Sequence, residues 1–206
     1  ERGLSYPEAA RTLYGGEGSF GNGAAMRVAP LGMTYHRAED LYERARLSAE
    51  VTHAHPVGID GAAVQAKAVA MVVTLEPPAP FPFDDFLAAL LDTARTRRIE
   101  RKLTCVRSLL AEDAPPSEAA RRLGMGVAVD RSQPFALYAF LRNTNSFEET
   151  LFCAALHGGD RDTMGAMAGA ISGAYLGEDR IPAEWRRKLE NRGKIGALAA
   201  RLAALA

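Results

Sequence analysis

The 206 residues carry 25 basic and 25 acidic side chains, so the formal charge is zero and no global electrostatic grip on nucleic acid or an anionic membrane is expected. Apolar residues make up 48% and charged residues 24%, an ordinary globular composition. A chain of this length buries about 70% of its unfolded surface without disulfide support.

The predicted elements are nearly all helical. Ser5-Tyr6-Pro7-Glu8 reads as a capping box with proline in the first turn. The spacing of Leu41, Ala45, Leu47 and Ser48 predicts a helix over 39–51, and the Ala-rich stretch 58–75 is long enough for another. The run from Glu76 to Pro82 cannot be helical, because its prolines remove donors and restrict their predecessors; it reads as a surface connection. Helices are predicted over 84–94, 100–110 and 118–123, then from Pro134 to Leu141, with a second capping box at Ser146 to Glu149. Residues 127–129 are a short strand candidate that reads better as a loop. Helix returns over 163–176 and from Pro182 onward, and the Ala-Leu-rich stretch 195–206 is expected to pack against the body. The expected class is all-α, without a fixed-period repeat. The longest apolar run, Ala68 to Leu75, is far shorter than the roughly 20 residues of a membrane span. No basic segment followed by an apolar one opens this sequence, so secretion is not expected. Cys105 and Cys153 stand outside any Cys-x-x-Cys spacing, which predicts buried free thiols in a reducing, cytoplasmic compartment. The first residue is Glu1, leaving a processed start or a fragment as the alternatives.

Three clusters carry chemistry. In Gly158-Gly159-Asp160-Arg161-Asp162-Thr163, two carboxylates and a hydroxyl supply hard oxygen ligands suited to Mg²⁺, Ca²⁺ or Mn²⁺. The same residues also suit an ordinary Asp or Thr N-cap after a glycine turn. Gly165, Gly169, Gly173 and Gly177 follow at four-residue intervals. Helix-interior glycine costs up to about 1 kcal/mol against alanine, so close approach by neighbouring helices is expected there. Gly18-Ser19-Phe20-Gly21-Asn22-Gly23 can turn several N–H groups toward a phosphate, or be a plain tight loop; it is neither a P-loop nor a dinucleotide fingerprint. Tyr14 and Phe20 flank it and are able to stack on a base. Thr52-His53-Ala54-His55-Pro56 holds a His-x-His pair without a third zinc ligand at useful spacing, and His53 is the better candidate for a ligand contact.

The strings GSFGNGAAMRVAPLG, ARLSAEVTHAHPVGIDGAAVQA and GGDRDTMGAMAGAISGAYLG, in that order, resemble the ADP-ribosylglycohydrolase family, with weaker support from PFALYAFLR and IPAEW. The likeness is nearest to the branch that removes ADP-ribose from serine and degrades poly(ADP-ribose). It implies an orthogonal all-α bundle, with residues 1–206 as the C-terminal part of a single domain. It further implies a two-Mg²⁺ centre with Asp160, Asp162 and Thr163 as ligands and the two aspartates as the catalytic pair. Gly18, Ser19, Phe20, Gly21, Asn22 and Gly23 would receive the diphosphate, His53 would line the substrate site, and Tyr14 or Phe20 would stack near the adenosine. The implied substrate is ADP-ribose or an ADP-ribosylated protein, without a membrane or nucleic-acid partner. Relatives carry a second ligand string, Thr-Asp-Asp-Thr, and in one branch a general acid or base glutamate, in an N-terminal region not found here. This chain is therefore expected to hold half the metal site, to be incomplete as an enzyme, and to offer an open face for association. Alternatives are a non-catalytic ADP-ribose-binding or structural member, or an arginine-specific hydrolase akin to the dinitrogenase reductase-activating enzyme. Two substitutions depart from the relatives, the first set to offset metal attraction or to point outward to a phosphate and the second bearing on substrate preference. Arg161 stands where relatives often have threonine, and Arg131, in Asp130-Arg131-Ser132-Gln133-Pro134, replaces an acid.

Overall fold

The structure, a computed structural model, describes residues 3–77 and 80–204. Among these residues it is all-α, with no strand beyond one isolated antiparallel bridge. Pro78 and Ala79, in the proline-rich connection, lie outside the described residues, as do Leu205 and Ala206 in the closing stretch.

The helices are α1 (Tyr6–Arg11), α2 (Gly23–Arg27), α3 (Ala29–Thr34), α4 (Leu41–Glu50), α5 (Pro56–Val72), α6 (Phe83–Thr93), α7 (Arg97–Ala111), α8 (Pro116–Leu123), α9 (Val129–Arg142), α10 (Phe147–Ala155), α11 (Arg161–Leu176), α12 (Ala183–Lys188) and α13 (Arg192–Ala203). Their ends follow local chemistry. Glu8 accepts from the Ser5 N–H at 2.7 Å, the reach-back half of the first capping box. Ser146 accepts from the Glu149 N–H at 3.2 Å and opens α10. His55 caps α5 by accepting from the Val57 N–H at 3.1 Å, so that helix starts two residues ahead of its predicted start.

Helix α5 is the axis of the fold. Its residues Val57, Ala62, Val64, Gln65, Val69 and Val72 are buried on every side, as expected of a helix wrapped by others. Small residues let neighbours approach closely. A Cβ on Gly58 would lie 2.7 Å from the Ser19 carbonyl oxygen, so this glycine is what lets the 18–23 loop cross the start of α5. Against α5 lies α9, whose Phe135, Leu137, Tyr138 and Phe140 are fully buried. Phe81 anchors the proline-rich connection in this core, edge-on to Phe86, Phe140 and Tyr175.

Several expectations are corrected. Helix α9 starts at Val129, and Pro134 sits inside it. The turn before the proline is held independently, by the Ser132 N–H and hydroxyl both donating to the Ala128 carbonyl, so the proline does not mark the start. The C-terminal helix α13 does not bury its apolar face among the described residues: Ile195 and Leu198 remain 47% and 52% exposed. Gly177 is not interior to α11 but ends it, at φ +82°. At Gly165 and Gly173 an added Cβ would meet α10 side chains at 3.6 Å, ordinary contact, and at Gly169 it would meet Leu151 at 3.3 Å. The α10–α11 crossing is thus close without being obligate, and α11 is buried on one face only. Cys153 is buried as expected, Cys105 is half-buried, and both are free. No helix among the described residues is long and apolar enough to cross a membrane.

Candidate functional site

Two turns, far apart in sequence, meet over the starts of α2, α9 and α11. The first is the 18–23 loop. Its backbone pairs with the segment before α9: the Asn22 N–H donates to the Val127 carbonyl at 2.9 Å, and the Val129 N–H donates to the Phe20 carbonyl at 3.0 Å. Residues 127–129 therefore form a single bridge, Ala128 to Gly21, rather than a strand. The N–H groups of Gly18, Gly21 and Asn22 are spent on Leu13, Ser19 and Val127. Those of Ser19 and Phe20 have no protein partner among the described residues.

A cavity of about 270 Å³ opens on this loop, lined by Tyr14, Glu17, residues 18–21, Val127 and Ala128. Tyr14 is 74% exposed and held at φ +53°, a left-handed conformation uncommon for a bulky residue and one that presents the ring to solvent. Phe20 is differently placed. The Arg98 guanidinium lies 4.8 Å above its ring, and the His55 ring is 5.0 Å away. Arg98 is in turn paired through Nε to the buried Asp130 at 2.7 Å.

His53 packs its ring on the loop. A Cβ on Gly23 would lie 3.1 Å from His53 Cε1, and one on Gly21 would lie 3.3 Å from Nε2. Its Nδ1 is 2.8 Å from Thr52 Oγ1, which also accepts from Arg27 at 2.8 Å. Burial first, and then the Arg27 charge, holds the imidazole below its ordinary pKa, so the ring is neutral at pH 7. His36 bonds the Met33 carbonyl and His157 packs edge-on to Phe135; both serve the fold.

The second turn is 158–163. Gly159 has φ +67°, and a Cβ there would lie 2.0 Å from the Met125 carbonyl oxygen, which accepts from the Asp160 N–H at 2.9 Å. Asp160 occupies the N-cap position of α11, yet its side chain makes no capping bond. Its Oδ2 accepts instead from Asn22 Nδ2 at 2.6 Å. Asp162 is exposed, and its carboxyl is held below the ordinary range by its contact with the Asp160 side chain, then by the N–H groups of Thr163 and its own residue. Thr163 is buried. Beside Asp162 runs a broad apolar depression of about 680 Å³, floored by Gly165, Ala166 and Gly169 and walled by Phe147 and Leu151, with Arg161 at its rim.

The structure brings Asn22, Asp160, Asp162 and Thr163 together and sets His53 against the glycine loop. Tyr14 stands at the far end of the cavity. The donor set is two carboxylates and a hydroxyl, all oxygen, which fits part of a Mg²⁺ coordination sphere and not a zinc one. No group of three or more His, Cys, Asp or Glu side chains assembles around a point among the described residues. Two partners stand outside the residues that the sequence marks as site candidates. Ser132 holds Asn22 from α9 at 3.0 Å, and Met125 fixes the Asp160 backbone; both pairings span long sequence separations.

A model of the ADP-ribosylglycohydrolase family matches residues 2–206. The chain is 37% identical to a Gallus gallus protein named ADP-ribosylhydrolase ARH3, covering 89% of this chain and 57% of that one. It is 36% identical to the Homo sapiens protein of the same name, covering 89% and 57%. It therefore spans little more than half the length of these relatives. A solved structure named as an ADP-ribosylglycohydrolase-related protein complex aligns with a TM-score of 0.66 at 28% identity, covering 97% of this chain and 67% of the other.

Proposed function

The chain belongs to the ADP-ribosylglycohydrolase family, on the side of its ARH3-like relatives, and on that premise we propose that the full-length protein is a Mg²⁺-dependent hydrolase of the glycosidic bond joining ADP-ribose to a protein side chain or another leaving group. The observation that carries this reading is the 2.6 Å hydrogen bond from Asn22 to Asp160. It ties the glycine loop to the aspartate pair, so a ligand with a diphosphate at one end and a ribose at the other meets both at once.

The N–H groups of Ser19 and Phe20, without a protein partner among the described residues, would receive the diphosphate within the cradle of Gly18 to Gly23. Tyr14 is the stacking surface for the base. Phe20, with Arg98 on one ring face and His55 against it, acts as a fixed wall of the cavity. Neutral His53, packed against Gly21 and Gly23, would line the substrate site beside the loop. Asp160, Asp162 and Thr163 would hold Mg²⁺, which supplies, when bound, a hard centre that fixes the distal ribose hydroxyls. Holding that ribose presents the anomeric carbon while positive charge develops on the ring, and the two carboxylates favour that charge. The apolar depression beside Asp162 is the face on which further helices of the whole protein, bearing the remaining ligands and the proton-transfer group, would pack. Two free cysteines among the described residues fit a reducing, cytoplasmic location.

Calorimetric titration of ADP-ribose with and without Mg²⁺ tests the site. Mg²⁺-dependent binding is expected, and its absence in the full-length protein overturns the reading. Hydrolysis assays on serine-linked and arginine-linked ADP-ribose then decide the leaving group, with serine expected. Asp162→Ala is expected to abolish hydrolysis of whichever substrate is accepted.

A further inference from the structure

We propose that Ser132 is a positioning residue for Asp160 and acts through Asn22; the inference rests on the reading of Asp160 as a cation ligand. Ser132 is fully buried in the first turns of α9. Its hydroxyl donates to the Ala128 carbonyl at 3.1 Å and accepts from Asn22 Nδ2 at 3.0 Å. A hydroxyl has one proton, and this one is committed to Ala128, so what faces Asn22 is a lone pair.

That proton count fixes the amide. Asn22 gives one N–H to Ser132 and the other to Asp160 Oδ2. Turned end for end, the amide would set its oxygen against the Ser132 lone pair and the Asp160 carboxylate together, two repulsive contacts in place of two bonds. Ser132 thereby selects the orientation that gives Asp160 a charge-assisted donor. The frame around this relay is main chain. The Asp160 N–H bonds Met125, the Asn22 N–H bonds Val127 and the Ser132 N–H bonds Ala128, so one short segment, 125–128, anchors all three residues. The Ser132 hydroxyl is already satisfied by Ala128, so its bond to Asn22 serves Asn22.

The test is a titration of full-length protein with Mn²⁺, read by electron paramagnetic resonance, with thermal melts alongside. Ser132→Ala is expected to weaken Mn²⁺ binding about tenfold, the usual scale for a group that orients a ligand. Ser132→Cys is near-isosteric with a weaker acceptor; it is expected to give a smaller loss and serves if the alanine variant does not fold. Ser172→Ala removes an equally buried hydroxyl that has no partner among the described residues, and wild-type affinity is expected. In an Asn22→Ala background, Ser132→Ala is expected to add no further loss. Wild-type affinity in both Ser132 variants, or additive losses in the Asn22→Ala background, overturns the inference alone. Failure of the wild-type protein to bind Mn²⁺ overturns the cation reading and this inference with it.

Discussion

Asp60 and Asp160 each stand near the start of a long helix and point inward, yet their oxygens are used in opposite ways. Asp60, on α5, is fully buried and saturated. It accepts from the N–H groups of Arg95 and Thr96 at 2.9 and 2.8 Å, from the Thr96 hydroxyl at 2.5 Å and from Tyr42 at 3.3 Å. The Arg95 guanidinium then covers the Tyr42 ring at 3.5 Å. Burial, and next the Asp60 charge, push the Tyr42 phenol above its ordinary value, so it remains a donor. Asp160 accepts one side-chain amide and stands beside a second carboxylate. A carboxylate surrounded by donors is part of the scaffold, here tying α5 to the start of α7. A carboxylate set beside another and left open is what the proposed cation site would require.

The sharpest way to break this contrast is Asp60→Ala, expected to cost about 3 kcal/mol because four donors lose one buried acceptor together. Urea denaturation checks it, and a cost under about 1 kcal/mol would remove the distinction. Gly159→Ala is expected to cost about 2 kcal/mol through its left-handed backbone and the contact with Met125; the same denaturation curve reads it, with Mg²⁺-dependent ADP-ribose binding lost in parallel. A smaller effect should appear with pH. His53 has its folded-state pKa lowered by burial and Arg27, so below about pH 6.5 the unfolded chain binds more protons. Its share of stability is present above that pH and is lost as pH falls from there through the lower folded-state value. His53→Gln should flatten that part of the stability profile. The smallest change is expected for Asp162→Ala, which removes the neighbour of Asp160 from an exposed position: the melting temperature should hold or rise, whereas a marked fall would make Asp162 a scaffold residue like Asp60.

Much of the helical order is legible from local pattern. Ser5 with Glu8, Ser146 with Glu149, and the spacing of Leu41 and Ala45 on α4 announce their elements because caps and periodicity act within a few residues. Pro134 misleads for the same reason, since a rule for helix starts knows nothing of the Ala128 carbonyl that holds the preceding turn. The two halves of the site are each visible as a glycine-rich string. That they are one site is implied by the family resemblance and not by local pattern, because the Asn22–Asp160 bond joins positions 138 residues apart and leaves no period or spacing to read. Nor does any pattern mark the predicted C-terminal helix α13 as unpacked, since its Ile195 and Leu198 look like core residues and stay exposed.

The bridge between Gly21 and Ala128 has a consequence for how the cavity can change over time. Its bonds run between main-chain atoms, which every substitution leaves in place unless proline is introduced. Val127 contributes its carbonyl to the bridge while its side chain, 70% exposed, stands on the cavity rim. Position 127 is thus free to drift in size and polarity, retuning what the rim admits, while the anchorage of the loop is inherited unchanged.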